Sequence, residues 1–351
     1  MQTHNHFKTR IQEDGVLLLG FDHKDKPVNV LSSDVLNELE QIVNDILTNN
    51  NVGGVVIVSL KNSCFIAGAD INELQSVTDR DKCEQLIRKA LDLLNSIENS
   101  SKPFVAAIEG TCMGGGLELA LACHWRVAST HPSTVFALPE VLLGIIPGFW
   151  GTQRLPKLIG LVPALEMISS GKNVFPKKAI KTKLIDDMVV NIPADKRTIE
   201  NITSEAFVAV AIQRVLEFTS GRKLKLRRKI GFWNRVAGLP LAKSCVGLHA
   251  KKLIKRARGN HYPAPLKAVD AVLTGNETEI ILDLVTTPLA KNLMGIYFAK
   301  NSLKPSKSDV INPSRDRVGV LGAGLMGSQI AANLAEKGYE VAMKDIGTEQ
   351  L

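Results

Sequence analysis

The chain has 351 residues, 45% of them hydrophobic, a size and composition that allow two or three domains with real cores. No apolar run reaches the ~18 residues a membrane-spanning helix needs, and the polar stretch Met1 to Asp14 is unlike a secretory or import segment, so the expected location is cytoplasmic. The net charge of +8 is uneven: thirteen Lys or Arg and no Asp or Glu fall between Gly221 and Asn260, leaving −5 on the rest.

In chain order, Val16 to Phe21 reads as a strand, Asp34 to Leu47 as an amphipathic helix and Val55 to Ser59 as a β-branched strand. Gly68 and Ala69 follow in a small-residue loop before Asp70, then Cys83 to Ile97 shows helical periodicity and Phe104 to Ile108 is another strand. Strands alternating with helices predict an α/β layer architecture, which Met188 to Val190 closes near residue 190. From about residue 197 to 300 the pattern is helical, broken at Gly238-Leu239-Pro240, Gly259-Asn260 and Pro263-Ala264-Pro265. Leu303 to Ser314 reads as an exposed linker.

Two carboxylates stand in apolar surroundings. Glu118 follows the triplet Gly114-Gly115-Gly116, and Glu140 lies inside Leu138-Pro139-Glu140-Val141-Leu142-Leu143-Gly144. Three glycines opening a helix expose N–H groups at its positive end, a natural place for a developing oxyanion. The loop Ala67-Gly68-Ala69-Asp70 offers a second backbone donor. Two donors and two carboxylates suit chemistry at the carbons α and β to a carbonyl, one acid holding water and the other exchanging the α-carbon proton. The bland alternative for Glu118 is a solvated first-turn acid that suits the helix dipole.

Phe65 to Ile71, Gly114 to Glu118, Leu138-Pro139-Glu140, Ile146-Pro147-Gly148 and Gly151 to Pro156 together resemble the enoyl-CoA hydratase (crotonase) family, in family order over roughly the first 190 residues. The resemblance implies a ββα-spiral domain over residues 1–190. It implies an oxyanion hole from the N–H groups of Ala69 and Gly115, Glu118 activating water, Glu140 exchanging the α-proton, and the Gly148 N–H helping to place the water. Where the family has small residues, this chain has Phe149-Trp150. Trp150 is expected to limit acyl-chain length, unless both rings point outward into a neighbouring helix.

Near the end, Arg317 to Leu321 is a short strand running into Gly322-Ala323-Gly324-Leu325-Met326-Gly327, with a helix from Ser328 to Lys337, a second strand from Glu340, and Asp345 eighteen residues past Gly327. This is a dinucleotide-binding fingerprint: Gly322 for the turn, Gly324 for pyrophosphate approach, Gly327 for helix packing and Asp345 for the ribose hydroxyls. A hydratase/isomerase followed by a 3-hydroxyacyl-CoA dehydrogenase resembles the alpha subunits of fatty-acid β-oxidation complexes. The expected organisation is therefore a crotonase-like domain (1–190), a helical linker region (191–305) and the first βαβ of a Rossmann domain (315–351). The resemblance implies acyl-CoA substrates, NAD for a complete dehydrogenase and a thiolase beta subunit as partner. One βαβ start lacks the second half of a dinucleotide crevice, so dehydrogenase activity and firm NAD binding are not expected of this chain alone.

The basic stretch Arg222, Lys223, Lys225, Arg227, Arg228 and Lys229, with Phe232 and Trp233 after it, leaves open the phosphates of CoA, an acidic membrane surface or RNA. A solvated helical face is the favoured account, and no nucleic-acid motif is present. The five cysteines lack CxxC spacing and read as small buried residues in a reducing compartment, and His124 and His249 read as structural, with no metal spacing. Trans-2-enoyl-CoA hydration, with Δ3-Δ2 isomerase chemistry on the same groups, is the expected activity. The alternatives are a catalytically weak subunit that serves assembly and a basic-patch binding protein on the same scaffold.

Overall fold

Strands that are apolar at every position need cover on both faces, and the larger sheet is built that way. In the computed structural model, described over residues 2–192, 196–221, 239–258, 261–303 and 317–346, seven strands run in the order β1-β2-β3-β4-β6-β8-β10. These are β1 (Gln2–Thr3), β2 (Phe7–Ile11), β3 (Val16–Phe21), β4 (Gly54–Ser59), β6 (Phe104–Ile108), β8 (Trp125–Ser129) and β10 (Asp187–Val189). β1 to β3 pair antiparallel and the pairs from β3 to β10 are parallel. Val55 and Ile57 of β4 join one core cluster with α1 (Ser33–Thr48) and α3 (Arg80–Glu98). Their neighbours Val56 and Val58 join a second cluster with Phe207, Val208, Ala211 and Val215. The period of two is real, but both faces are buried, so the sequence shows only a continuous apolar run.

A second sheet holds three short parallel strands, β5 (Cys64–Ile66), β7 (Thr111–Met113) and β9 (Val135–Ala137). Each follows a strand of the large sheet and leads into helix: α2 (Ile71–Ser76), α4 (Gly115–Ala122) and a 3₁₀ turn (Glu140–Leu143). This is the expected ββα spiral. Because β7 pairs with both β5 and β9, the segments leaving these strands, at Ala69, Gly115 and Glu140, emerge side by side. Helices α5 (Gly151–Ile159), α6 (Leu161–Ser170) and α7 (Pro176–Thr182) complete this part.

The later helices differ from the expected linker. The chain divides into compact units at 1–297 and 298–351, so most of the region read as a linker belongs to the first unit. α8 (Ala206–Thr219) supplies the second cover of the large sheet. After α9 (Pro240–Arg258), helices α10 (Pro263–Thr274) and α11 (Glu277–Val285) and the start of α12 (Pro288–Ser302) add Ala268, Val272, Ile281, Val285 and Met294 to the first core cluster. Periodicity shows that a helix has an apolar face but not what that face meets. Lys291 fastens α12 to the end of α2, donating to the carbonyls of Leu74, Gln75 and Val77 at 2.9, 2.7 and 2.6 Å. The basic run from Arg222 to Trp233 and nearly all of the expected linker Leu303 to Ser314 lie outside the described residues.

Buried charge fixes the junction before α8. Arg197 pairs with Glu109 and Glu205, and Asn191 donates to both acids. Burial pushes the Glu109 carboxyl up, but hydrogen bonds from Ser129 and Asn191 and the Arg197 charge outweigh it, leaving a net downward shift. Arg197→Met is expected to cost about 3–5 kcal/mol in denaturant unfolding, because it strands two buried carboxylates. A loss below about 1 kcal/mol would show that water reaches the junction.

In the second unit, β11 (Arg317–Leu321) and β12 (Glu340–Lys344) pair in parallel around α13 (Leu325–Glu336).

Candidate active site

The spiral delivers the predicted residues to one place. A cavity of about 50 Å³ is lined by Ala69, Gly115, Glu118, Glu140, Gly148 and Phe149, with Leu74, Cys83, Ile87, Ile145, Ile146, Ile281 and Val285 among its walls. The N–H groups of Ala69 and Gly115 donate to no acceptor among the described residues, although the neighbouring Asp70 and Gly114 N–H groups bond Leu31 and Ala137. Gly114 turns the chain into α4 with φ +50°, and a Cβ there would stand 2.8 Å from Glu140 Oε1. Glycine serves both needs: the unusual torsion and the room for the acid.

Glu118 is buried in α4, and its Oε1 accepts the Phe149 and Gly151 N–H groups, each at 2.8 Å. Burial pushes its carboxyl up to about 7, against the pull of these two bonds and of Arg154. Glu140 opens the 3₁₀ turn; its Oε2 is enclosed and meets no donor among the described residues. Burial raises Glu140 well above the ordinary carboxylate range, and the charges of Glu118 and Glu277 add to the effect. Gly148 lies opposite Ile281, whose Cδ1 would be 2.5 Å from an added Cβ.

Phe149 and Trp150 part company. Phe149 packs on Gly115 and lines both this cavity and a second one of about 60 Å³, bounded by Leu31, Ser33, Leu36, Asp70, Glu73 and Val77. Trp150 is exposed, lines neither cavity and lies beside Arg154, whose guanidinium is 5.7 Å from the ring centroid. Of the two rings, it is therefore Phe149 and not Trp150 that faces the cavities. Trp150 takes a left-handed conformation with φ +66°, which turns its ring away as α5 begins.

A third acid, which the sequence pattern did not reveal, is Glu277 at the start of α11. It is wholly buried and accepts the N–H groups of Trp150 at 2.5 Å and Thr152 at 2.9 Å, together with the Thr152 hydroxyl. Burial, then the charge of Glu118, raises its carboxyl to about 8. No local motif marks it. Cys245 also departs from expectation, being exposed where the other four cysteines are buried. His124 is held structurally, its Nδ1 accepting the Phe104 N–H.

In the second unit, Gly322 turns with φ +98°, and neither its added Cβ nor that of Gly324 would meet an atom within 4 Å. A Cβ on Gly327 would stand 1.7 Å from the Gly322 carbonyl, which accounts for glycine at the helix contact. Asp345 accepts the Ala323 and Ile346 N–H groups, which hold it below the usual carboxylate range. These residues fit a dinucleotide: Gly322 and Gly324 leave an uncrowded turn at the start of α13 for the pyrophosphate, and Asp345 stands at the end of β12 for the ribose. Bound NAD would supply a hydride acceptor.

A ββα spiral that gathers two backbone donors and paired acids defines a crotonase-type enzyme. Residues 12–212 match the family described as enoyl-CoA hydratase/isomerase, and the chain belongs to that family. Residues 317–351 match the NAD binding domain of 3-hydroxyacyl-CoA dehydrogenase, so NAD is the cofactor of the dehydrogenase part. Among solved structures, an enoyl-CoA hydratase from Geobacillus kaustophilus is 26% identical with a TM-score of 0.53, covering 87% of this chain and 97% of its own. Human mitochondrial Δ3-Δ2-enoyl-CoA isomerase (19%, TM-score 0.59, covering 85% and 98%) and an enoyl-CoA hydratase from Bacillus halodurans (19%, 0.59, 83% and 99%) share the fold.

Proposed function

We propose that this chain hydrates trans-2-enoyl-CoA thioesters to 3-hydroxyacyl-CoA, with Δ3-Δ2 isomerisation as a second activity of the same groups. The observation that carries this reading is the convergence of the Ala69 and Gly115 N–H groups with Glu118 and Glu140 on one cavity. In hydration, ionised Glu118 takes a proton from water as its oxygen attacks C3, and the Gly148 N–H helps to place that water. The thioester oxygen becomes enolate-like between the Ala69 and Gly115 N–H groups. Glu140, protonated at the start, delivers its proton to C2. Isomerisation needs the same oxyanion stabilisation, with a carboxylate shuttling the proton.

The parent arrangement proposed is an alpha subunit of a fatty-acid β-oxidation complex, paired with a thiolase subunit. The order of a hydratase/isomerase match before a dehydrogenase match supports it. A cytoplasmic location is part of the same proposal. Among the described residues no helix is long and apolar enough to cross a membrane.

The test follows loss of enoyl-thioester absorbance with folded chain on crotonyl-CoA and on a long-chain trans-2-enoyl-CoA. Turnover of either supports hydration. Silence on both would sink the hydratase reading in favour of an assembly role.

A further inference from the structure

The N-terminal turn of α5 carries four consecutive backbone donors, and two acids from distant segments divide them alternately. Phe149 and Gly151 donate to Glu118, while Trp150 and Thr152 donate to Glu277. No side chain caps this helix locally, and its first turn contains no acid. The Thr152 hydroxyl accepts from Gln153 Nε2 at 2.9 Å and passes its own hydrogen to Glu277. Gln153 in turn bonds the Ala271 carbonyl of α10 at 2.8 Å, so the turn is tied to the later helices. Glu277, Ile281 and Val285 recur at helical spacing, and the latter two wall the cavity. The family match ends at residue 212, well short of this helix.

Resting on the reading of Glu118 as the base, we propose that Glu277 is a positioning residue: by holding the Trp150 and Thr152 N–H groups, it keeps those of Phe149 and Gly151 aimed at Glu118. The left-handed Trp150 makes the grip necessary, since a non-glycine residue persists there only when its surroundings enforce it. The charged groups interacting with Glu118 are Glu140, Glu277 and Arg154 (itself paired with Glu98 of α3), and the Cys83 side chain lines the same cavity. The two N–H bonds favour ionised Glu118, so a slack turn raises its proton affinity. Glutamine has one acceptor oxygen where the carboxyl has two, so in this place it can hold one of the two N–H groups but not both.

Crotonyl-CoA hydration against pH tests this in the full chain. Glu277→Leu is expected to lower kcat about 100-fold with KM within about threefold, and to move the acid limb up by about one pH unit. Glu277→Asp, too short to reach both donors, should move it the same way by less and serves if the leucine variant does not fold. Glu277→Gln, which keeps a single acceptor oxygen, should move the limb in the same direction by less than Glu277→Leu does. A residue that only stabilises the fold would lower Tm in every variant and leave the limb in place. Coincidence of the limbs of folded Glu277→Leu or Glu277→Asp with wild type overturns the proposal. Infrared titration of the Glu118 carboxyl, assigned by its loss in Glu118→Gln, reads the same shift without turnover: its midpoint should rise in Glu277→Asp, and an unmoved midpoint overturns the proposal. An inactive wild type would count against the hydratase reading alone.

Discussion

Glu140→Gln is expected to lower crotonyl-CoA hydration about 1,000-fold with little change in KM, the loss typical of removing a general acid. The amide fills the same space but has no proton to give C2. The pH profile separates this from general damage. Wild-type rate should rise through about pH 7 as Glu118 ionises, because burial holds that carboxyl near 7. It should fall again at higher pH, as Glu140 loses the proton that burial and its acidic neighbours help it keep. Both limbs describe a coupled set of carboxyls, so they belong to the cluster and not to isolated residues. In Glu140→Gln the alkaline limb should vanish while the acid limb stays. Glutamine also replaces a buried acid with a neutral group of the same shape, so Tm should change little. A variant within about threefold of wild type would remove Glu140 from the chemistry.

Glu118 and Glu140 were legible because each sits beside glycine or proline signals that survive without tertiary context. Their convergence was not, since it depends on β5, β7 and β9, three-residue strands too short to show a pattern. Glu277 was hidden for a different reason. In Asn276-Glu277-Thr278-Glu279 both acids read as first-turn residues that suit a helix dipole. Only packing separates them: Glu277 is buried on the α5 turn, while Glu279 reaches an exposed pairing with Arg80. The helices after residue 197 were legible as helices, but their apolar faces do not say that α8 covers the sheet or that α11 walls the cavity. Phe149-Trp150 stood out as a pair, yet their opposite directions follow from the left-handed torsion at Trp150, which sequence does not disclose.

That division sets the second large effect. The cavity of about 50 Å³ is far below the roughly 300–1,000 Å³ of ordinary small-molecule sites. Its neighbour shares Ala69, Leu74, Cys83, Ile87 and Phe149, so the Phe149 ring stands where the two could merge. Phe149→Ala is therefore expected to raise kcat/KM for a long-chain enoyl-CoA relative to crotonyl-CoA by about 10–100-fold, since each added methylene accommodated is worth a modest factor and several would fit. The ratio of substrates is the quantity to measure, because any loss of folded enzyme cancels from it. Trp150→Gly should leave the ratio unchanged: the indole lines neither cavity, and glycine accepts the left-handed torsion without strain. An unchanged ratio in Phe149→Ala would place the limit on acyl length elsewhere in the wall, among Leu74, Ile87, Ile145, Ile146, Ile281 and Val285. A changed ratio in Trp150→Gly would mean that the turn, and not the ring it carries, sets the width of the site.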